Sequence, residues 1–333
     1  MDKVACCCLQ NGGPPPPSLL VPPCRRSISF TRRIPERGNT KLRAGFSSLD
    51  LEQYMSANVK AVQEALERAL PVGQPERLRE SMRYSVLACG CGKRVRPVLA
   101  IAACELVGGS RAVATPVACA VEMVHAWSLI RCDMTCMSDA AAFRRDRPAN
   151  HVAFGEYTAL YSGGTLLALA FEHLVRCADL GAVPAERALW AVAELGNAAG
   201  AGGVAAGMLA DKASEGAPVS LAMLEYIHLH KTARLFEAAA VCGAIVGGGT
   251  EGEIESVRRY ARSVGVLFQV ANDVSGSGKA ADKATYQTLL GVDQAQAYAA
   301  ELVVKAQREL ERFNANRAVP LHHLASFIAY RQK

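Results

Sequence analysis

The chain has 333 residues, 50% of them hydrophobic and 20% charged, enough to bury a sizeable core in one large domain. Its net charge of +6 belongs to residues 1–47, where eight Lys or Arg stand against two acids; the remainder balances 29 bases with 29 acids. A neutral body excludes the broad electrostatic footprint of a nucleic-acid-binding protein.

The first 47 residues read as a leader. "PPPPS" and "VPPC" build neither helix nor ladder, because proline lacks the amide donor. "CRRSISFTRR" is rich in Arg and Ser and poor in acids, the composition of an organelle transit peptide; a disordered tail without an address is the alternative. There is no secretory h-region, and no apolar run reads as long and uninterrupted enough to span a bilayer.

From Ser48 onward the pattern is helical. "SLDLEQYMSANVKAVQEALERAL" (48–70) starts with Ser and Asp and repeats apolar residues at spacings of three and four. The same period recurs in 75–88, 96–108, 112–130, 155–178, 185–196, 219–247, 252–273, 293–313 and 321–332. The Ala/Gly-rich tract 191–210 reads as closely packed helix broken near Gly200–Gly203. No segment alternates with period two for long, and the turn signals between segments are short. The spacing predicts one all-α domain over 48–333. Of twelve cysteines, four lie in the leader and eight are scattered through apolar segments, with no secreted-type framework.

Several basic spots stand out on this neutral body. "GKRVRP" sets Lys93, Arg94 and Arg96 between two helices, where three cations and a helix N-terminus suit a polyanion; a solvated surface is the plainer alternative. Arg144 and Arg145 form a second cluster, and Lys231 with Thr232 a third. His125 sits on an apolar helix, where a satisfied core histidine is the usual case. Such separate spots fit two anionic ligands.

The order of "MRYSVLA", "GKRVRPVLAIAACELVGG", "AVEMVHA", "RRDRPANHVAFGE", "HLHKTARLFEA" and "LFQVANDV" resembles that of the trans-prenyltransferases, and plant geranylgeranyl diphosphate synthases above all, over nearly the whole chain after the leader. The resemblance implies an antiparallel helical bundle around a central cavity, usually dimeric, that joins isopentenyl diphosphate to an allylic diphosphate. It implies Lys93, Arg96 and His125 as isopentenyl diphosphate contacts. Arg144, Arg145, Lys231, Thr232 and Gln269 would be the allylic diphosphate contacts. The turn "ACGCGKR" before Lys93 is longer than that family's usual "AGGKR".

The departures concentrate at the metal motifs. Where the family has Asp-Asp-x4-Asp, this chain has Cys132, Asp133 and Ser138; where it has Asp-Asp-x2-Asp, Asn272, Asp273 and Gly276. The loop that follows is cut to "SGSGKAADKATY", Met208 replaces a usual Gln while Asp211 is retained, and Gly164 replaces a usual Asp. Mg²⁺ demands hard oxygen ligands near octahedral geometry, and a thiol does not suit it. Of six motif carboxylates only Asp133 and Asp273 remain, as a relic metal site.

Cys132 and Cys136 are four apart, which on a helix places both thiols on one face. Two small buried residues, or a zinc site completed by Cys89 and Cys91, are the alternatives read from the residues alone. The chain also resembles the small subunits of plastid geranyl(geranyl) diphosphate synthases, which carry paired CxxxC motifs. That resemblance implies partner contacts at Cys132, Cys136 and Cys242, the second motif being incomplete because Ala238 stands where its first cysteine would be. Trp127, five residues before Cys132, would cap this chain's cavity by the same resemblance; core filling is the alternative.

The expectation is a chloroplast protein without catalytic residues of its own. It would bind no cofactor by itself, pair with a catalytic geranylgeranyl diphosphate synthase large subunit that holds Mg²⁺, and modulate that partner. An active short-chain prenyltransferase with degenerate motifs is the rival. A scaffold recruiting the synthase to a downstream enzyme or a membrane complex is the third reading.

Overall fold

The computed structural model describes residues 48–87, 94–138, 142–144, 147–179, 183–276 and 284–330. The leader 1–47 lies outside the described residues, as do Lys93, Arg145, Cys89 and Cys91. The described chain is all-α, apart from a two-residue antiparallel pairing of Phe143–Arg144 with Arg147–Pro148.

The helices in chain order are α1 (Ser48–Ala69), α2 (Glu76–Val86), α3 (Val95–Leu106), α4 (Arg111–Asp133), α5 (Asn150–Phe154), α6 (Glu156–Asp179) and α7 (Ala185–Ala199). There follow α8 (Val204–Ala213), α9 (Leu221–His228), a π-turn (Leu229–Ala233), α10 (Arg234–Val246), α11 (Glu251–Val274), α12 (Tyr286–Leu290), α13 (Val292–Glu309) and α14 (Ala315–Tyr330). The glycine break expected near 200–203 separates α7 from α8. The helix expected over 219–247 is divided by the π-turn.

Three helices form the centre. Every residue of α10 from Leu235 to Val246 is buried, as are ten of the twelve in α3. A helix apolar all round belongs in a core. α4 is of this kind: it is long and apolar enough to cross a membrane by length and composition, against the sequence expectation, but its most apolar window is largely buried in the bundle. Its hydrophobicity is that of a central helix packed on α3 and α6.

Close approach of α10 to α3 needs Gly243, where a Cβ would sit 2.1 Å from the Ala100 carbonyl oxygen. At the edge of the core, Thr250 and Glu253 form a reciprocal capping box that starts α11. Arg94, with φ of 42°, is buried and bonded to the Glu122 carboxylate, to Gln63 Oε1 at 2.9 Å and to the Val86 carbonyl at 2.7 Å. The expected three-cation cluster therefore loses Arg94, which pins α2, α3 and α4 together instead of meeting a polyanion.

Candidate functional site: a charge-paired cavity at the end of α4

A cavity of about 390 Å³ opens where α4 ends, bounded by α8 and the π-turn and lined by Cys132, Asp133, Arg144, Met208, Asp211 and Lys231, among others. The fold brings together here Cys132 and Asp133 of the first motif, one arginine of the basic cluster, and the lysine expected to meet a diphosphate. A larger groove of about 730 Å³ runs along α2, but it contains none of the predicted site residues, and Arg79 and Arg83 spend guanidinium bonds there on carbonyls of the α1–α2 loop.

Each element delivers its side chain for a local reason. α4 stops at Asp133 because Met134 adopts ψ of 144°, and the chain then turns through residues 134–137. The short hairpin that follows turns Arg144 back onto Asp133, whose two carboxylate oxygens accept from Arg144 Nε and Nη2. A fork-to-carboxylate pair of this kind is among the strongest hydrogen-bonded ion pairs. Asp133 is 5% exposed, so nearly all its charge compensation comes from within the protein.

The π-turn carries Lys231 and Thr232. A π-turn widens the helix locally and is often found at functional sites. Gly207 of α8 lets it approach, since a Cβ there would meet the Lys231 amide nitrogen at 2.1 Å. Lys231 Nζ donates to Asp211 Oδ2 at 2.7 Å. Burial works against the lysine's charge, but the acidic neighbours Cys132 and Asp211 outweigh it and raise its pKa. Burial also pushes the half-buried Cys132 thiol up, against the pull of Lys231 and Arg144. Lys212 completes the lining by pairing with Glu215 at 2.7 Å.

The other predicted residues lie elsewhere. The Arg96 guanidinium stacks over Phe236, 4.4 Å from the ring centroid. His125 is half-buried on α4, and its carbonyl accepts from Ser128 Oγ. Thr232 is buried, and half-buried Gln269 accepts from Asn272 Nδ2 at 3.2 Å. Asp273 accepts from the Tyr286 amide at 3.0 Å, fixing the start of α12, and burial raises its pKa. None of these residues lines the 390 Å³ cavity. Trp127 does not line it either; its indole Cδ1 lies near Gly163 of α6, beside Ile130.

The cysteine expectations need correction. Cys136 lies beyond the end of α4, so the pair does not share one helical face: Cys132 lines the cavity and Cys136 is exposed in the turn. Cys242 is wholly buried, and its thiol donates to the Ala191 carbonyl of α7 at 3.3 Å. A partner cannot touch it without displacing α7. Sequence reading missed Met137, Phe143, Lys212 and Glu215 in the lining. The three-residue spacing of Lys212 and Glu215 was the available signal for an ion pair, which the structure places at the C-terminal end of α8.

Among the described residues the donor set does not fit a hard divalent cation. Among the described residues no group of three His, Cys, Asp or Glu side chains is arranged to hold a metal. The two surviving motif acids are separated, one clamped by arginine and one spent on a backbone amide.

Residues 75–319 match the model of the polyprenyl synthetase family. Heterodimeric geranylgeranyl pyrophosphate synthase large subunit 1, chloroplastic, of Arabidopsis thaliana is 46% identical over 302 residues, covering 86% of this chain and 81% of that protein. The chloroplastic geranylgeranyl pyrophosphate synthase of Catharanthus roseus is 46% identical over 299 residues, 86% of this chain and 82% of its own. Among solved structures, an FPP/GFPP synthase from Zymomonas mobilis superposes with a TM-score of 0.78 at 34% identity, covering 85% of this chain and 100% of that one.

Proposed function

Because this chain belongs to the polyprenyl synthetase family, we propose that it serves there as a subunit with negligible turnover of its own. It pairs with a catalytic geranylgeranyl diphosphate synthase in the chloroplast and modulates that partner's output. The observation that carries the reading is the fate of the surviving motif acids. Asp133 is held by Arg144 and Asp273 by the Tyr286 amide, and the remaining four motif positions are Cys132, Ser138, Asn272 and Gly276. Mg²⁺ is the partner's to hold.

The outer surface of α6 supports pairing. Tyr157, Leu160, Tyr161 and Val175 are exposed along it, and Leu189 of α7 is exposed as well. Apolar surface on this scale suits a protein partner. Thr135 Oγ1 donates to Glu156 at the start of α6, which sets the turn bearing Cys136 beside that surface. Cys136, not Cys242, is then the cysteine available for contact. The same pairing of this chain with a large subunit is consistent with the heterodimeric name of its Arabidopsis relatives.

The test is turnover of isopentenyl and allylic diphosphates with Mg²⁺, measured for the purified chain alone and for the chain co-expressed with a catalytic synthase. The expected result is co-purification, negligible activity alone, and a changed rate or product profile in the complex. Condensation by the lone chain at the catalytic partner's rate overturns the reading and favours the degenerate but active enzyme. Chloroplast delivery is checked by import of the full chain against one lacking residues 1–47, and import of the shortened chain would refute it.

A further inference from the structure

Tyrosines taken out of water in this fold give their hydroxyls a protein acceptor. Tyr260, fully buried on α11, donates to the Leu321 carbonyl of α14 at 2.7 Å, and half-buried Tyr54 donates to the Glu105 carboxylate at 2.6 Å. Tyr286 of α12 is the exception among the described residues. It is 0% exposed, and its hydroxyl oxygen is buried without a hydrogen-bond partner in the protein. An unpaired buried hydroxyl costs free energy, and native folds satisfy such groups with protein or with an ordered water.

The polar groups around Tyr286 show what such a water would meet. The Tyr298 ring of α13 lies 5.6 Å from the Tyr286 ring. Burial first, and then acidic neighbours that include Glu225 of α9, holds both phenols above their usual range, Tyr298 at about 12. Burial raises the pKa of Glu225 as well. Tyr298 and Glu225 are half-buried, and neither side chain makes a hydrogen bond to another described residue. Two phenols that can donate and one carboxylate that only accepts, all without partners, are a set that one water completes, because water both donates and accepts.

We propose that Glu225, Tyr286 and Tyr298 form an internal water site between α9, α12 and α13, in which one water accepts from the Tyr286 hydroxyl and donates to the Glu225 carboxylate, with Tyr298 as its third partner. The water acts as a latch. α9 runs directly into the π-turn that carries Lys231, and Tyr286 is the residue whose amide donates to Asp273, so the bridge fixes the π-turn's leading helix against the start of α12. The latch belongs to the fold and is independent of turnover and of pairing with a synthase.

Urea unfolding of the full chain gives the folding equilibrium constant for wild type, Tyr286→Phe, Glu225→Leu and the double variant. Tyr286→Phe removes one oxygen and keeps the ring. In the wild-type background it should lower the constant about fivefold or more, the net worth of one hydrogen bond. In the Glu225→Leu background the same change should lower it less than about twofold, since the bridge is already broken. Tyr260→Phe is the control: it loses a direct bond to Leu321 and should cost the same in both backgrounds.

A Tyr286→Phe constant equal to or above that of wild type overturns the proposal, because an orphan hydroxyl is better replaced by hydrogen. An equal loss in both backgrounds overturns the link to Glu225, as does a Tyr260→Phe cost that also shrinks with Glu225→Leu. A high-resolution crystal structure of the wild type tests the site without any substitution. A water within hydrogen-bond distance of both Tyr286 Oη and a Glu225 carboxylate oxygen is expected. No water there overturns the proposal. So does a water that joins Tyr286 instead to Nδ1 of His228, which also lacks a protein partner and whose ring lies 5.2 Å away on α9.

Discussion

His228 gives the fold a specific weakness to acid. It is the last residue of α9, 8% exposed, and its ring lies 5.2 Å from that of Tyr286. Nδ1 has no hydrogen-bond partner among the described residues. Burial lowers its pKa to about 4 from 6.5; Asp211 pulls it up and Lys231 pushes it further down. Between those two values the unfolded chain binds the proton and the folded chain does not, so stability is full above pH 6.5 and falls as pH drops toward 4. At about 1.4 kcal/mol per pKa unit, the loss from this group is about 2 kcal/mol at pH 5 and about 3 kcal/mol once both states are protonated. His173 and His322 are also lowered by burial and add in the same direction. A variant comparison isolates His228. Urea unfolding of wild type and His228→Gln at pH 8 and pH 5 gives two stability losses, and the variant's should be smaller by about 2 kcal/mol. Equal losses would refute the argument, because they would show that His228 takes up its proton without unfolding.

Two further predictions follow from packing and exposure. Gly243→Ala places a methyl group against the Ala100 carbonyl, where backbone must yield, and should cost about 1–3 kcal/mol, read as a Tm lower by several degrees in calorimetry. Among the described cysteines, Cys136 should be the first alkylated in the native protein, while Cys104, Cys119, Cys177 and Cys242 should react only after urea unfolding, mapped by peptide mass spectrometry. Native labelling of Cys242 at the rate of Cys136 would refute its placement under α7.

The helices were legible because apolar residues repeat with the helical period from α1 to α14, and the composition left little room for strands. What stayed hidden was whatever depends on a single backbone angle or on residues far apart in sequence. The four-residue spacing of Cys132 and Cys136 reads as one helical face, yet Met134 turns the chain out of α4 between them. The π-turn at Leu229–Ala233 contains neither Gly nor Pro, so no turn residue marks it in the sequence. Arg94 reads as one of three exposed cations until Glu122, 28 residues away, is found against it. The pairing of Asp133 with Arg144 is of the same kind: eleven residues and a hairpin separate them, a distance at which no helical or strand spacing predicts contact.

Those hidden pairings bear on why the cavity holds Arg144 and Lys231 together with Asp133 and Asp211. A cavity that held half-buried Arg144 and Lys231 without any acid would keep two like charges close together with no counterion, which raises the cost of keeping both charged. One that retained all six motif acids without a metal would face the same problem with the opposite sign. This chain keeps Asp133 beside Arg144 and Asp211 beside Lys231, the number of acids that its cations require. Cys132 and Ser138 line the same cavity and need no counterion. Asp273, which lies outside the cavity, survives with a different use, as the acceptor that starts α12. Retention thus follows structural employment. Each surviving acid has a partner inside the fold, and such partners keep a helical bundle folded whether or not it binds a metal.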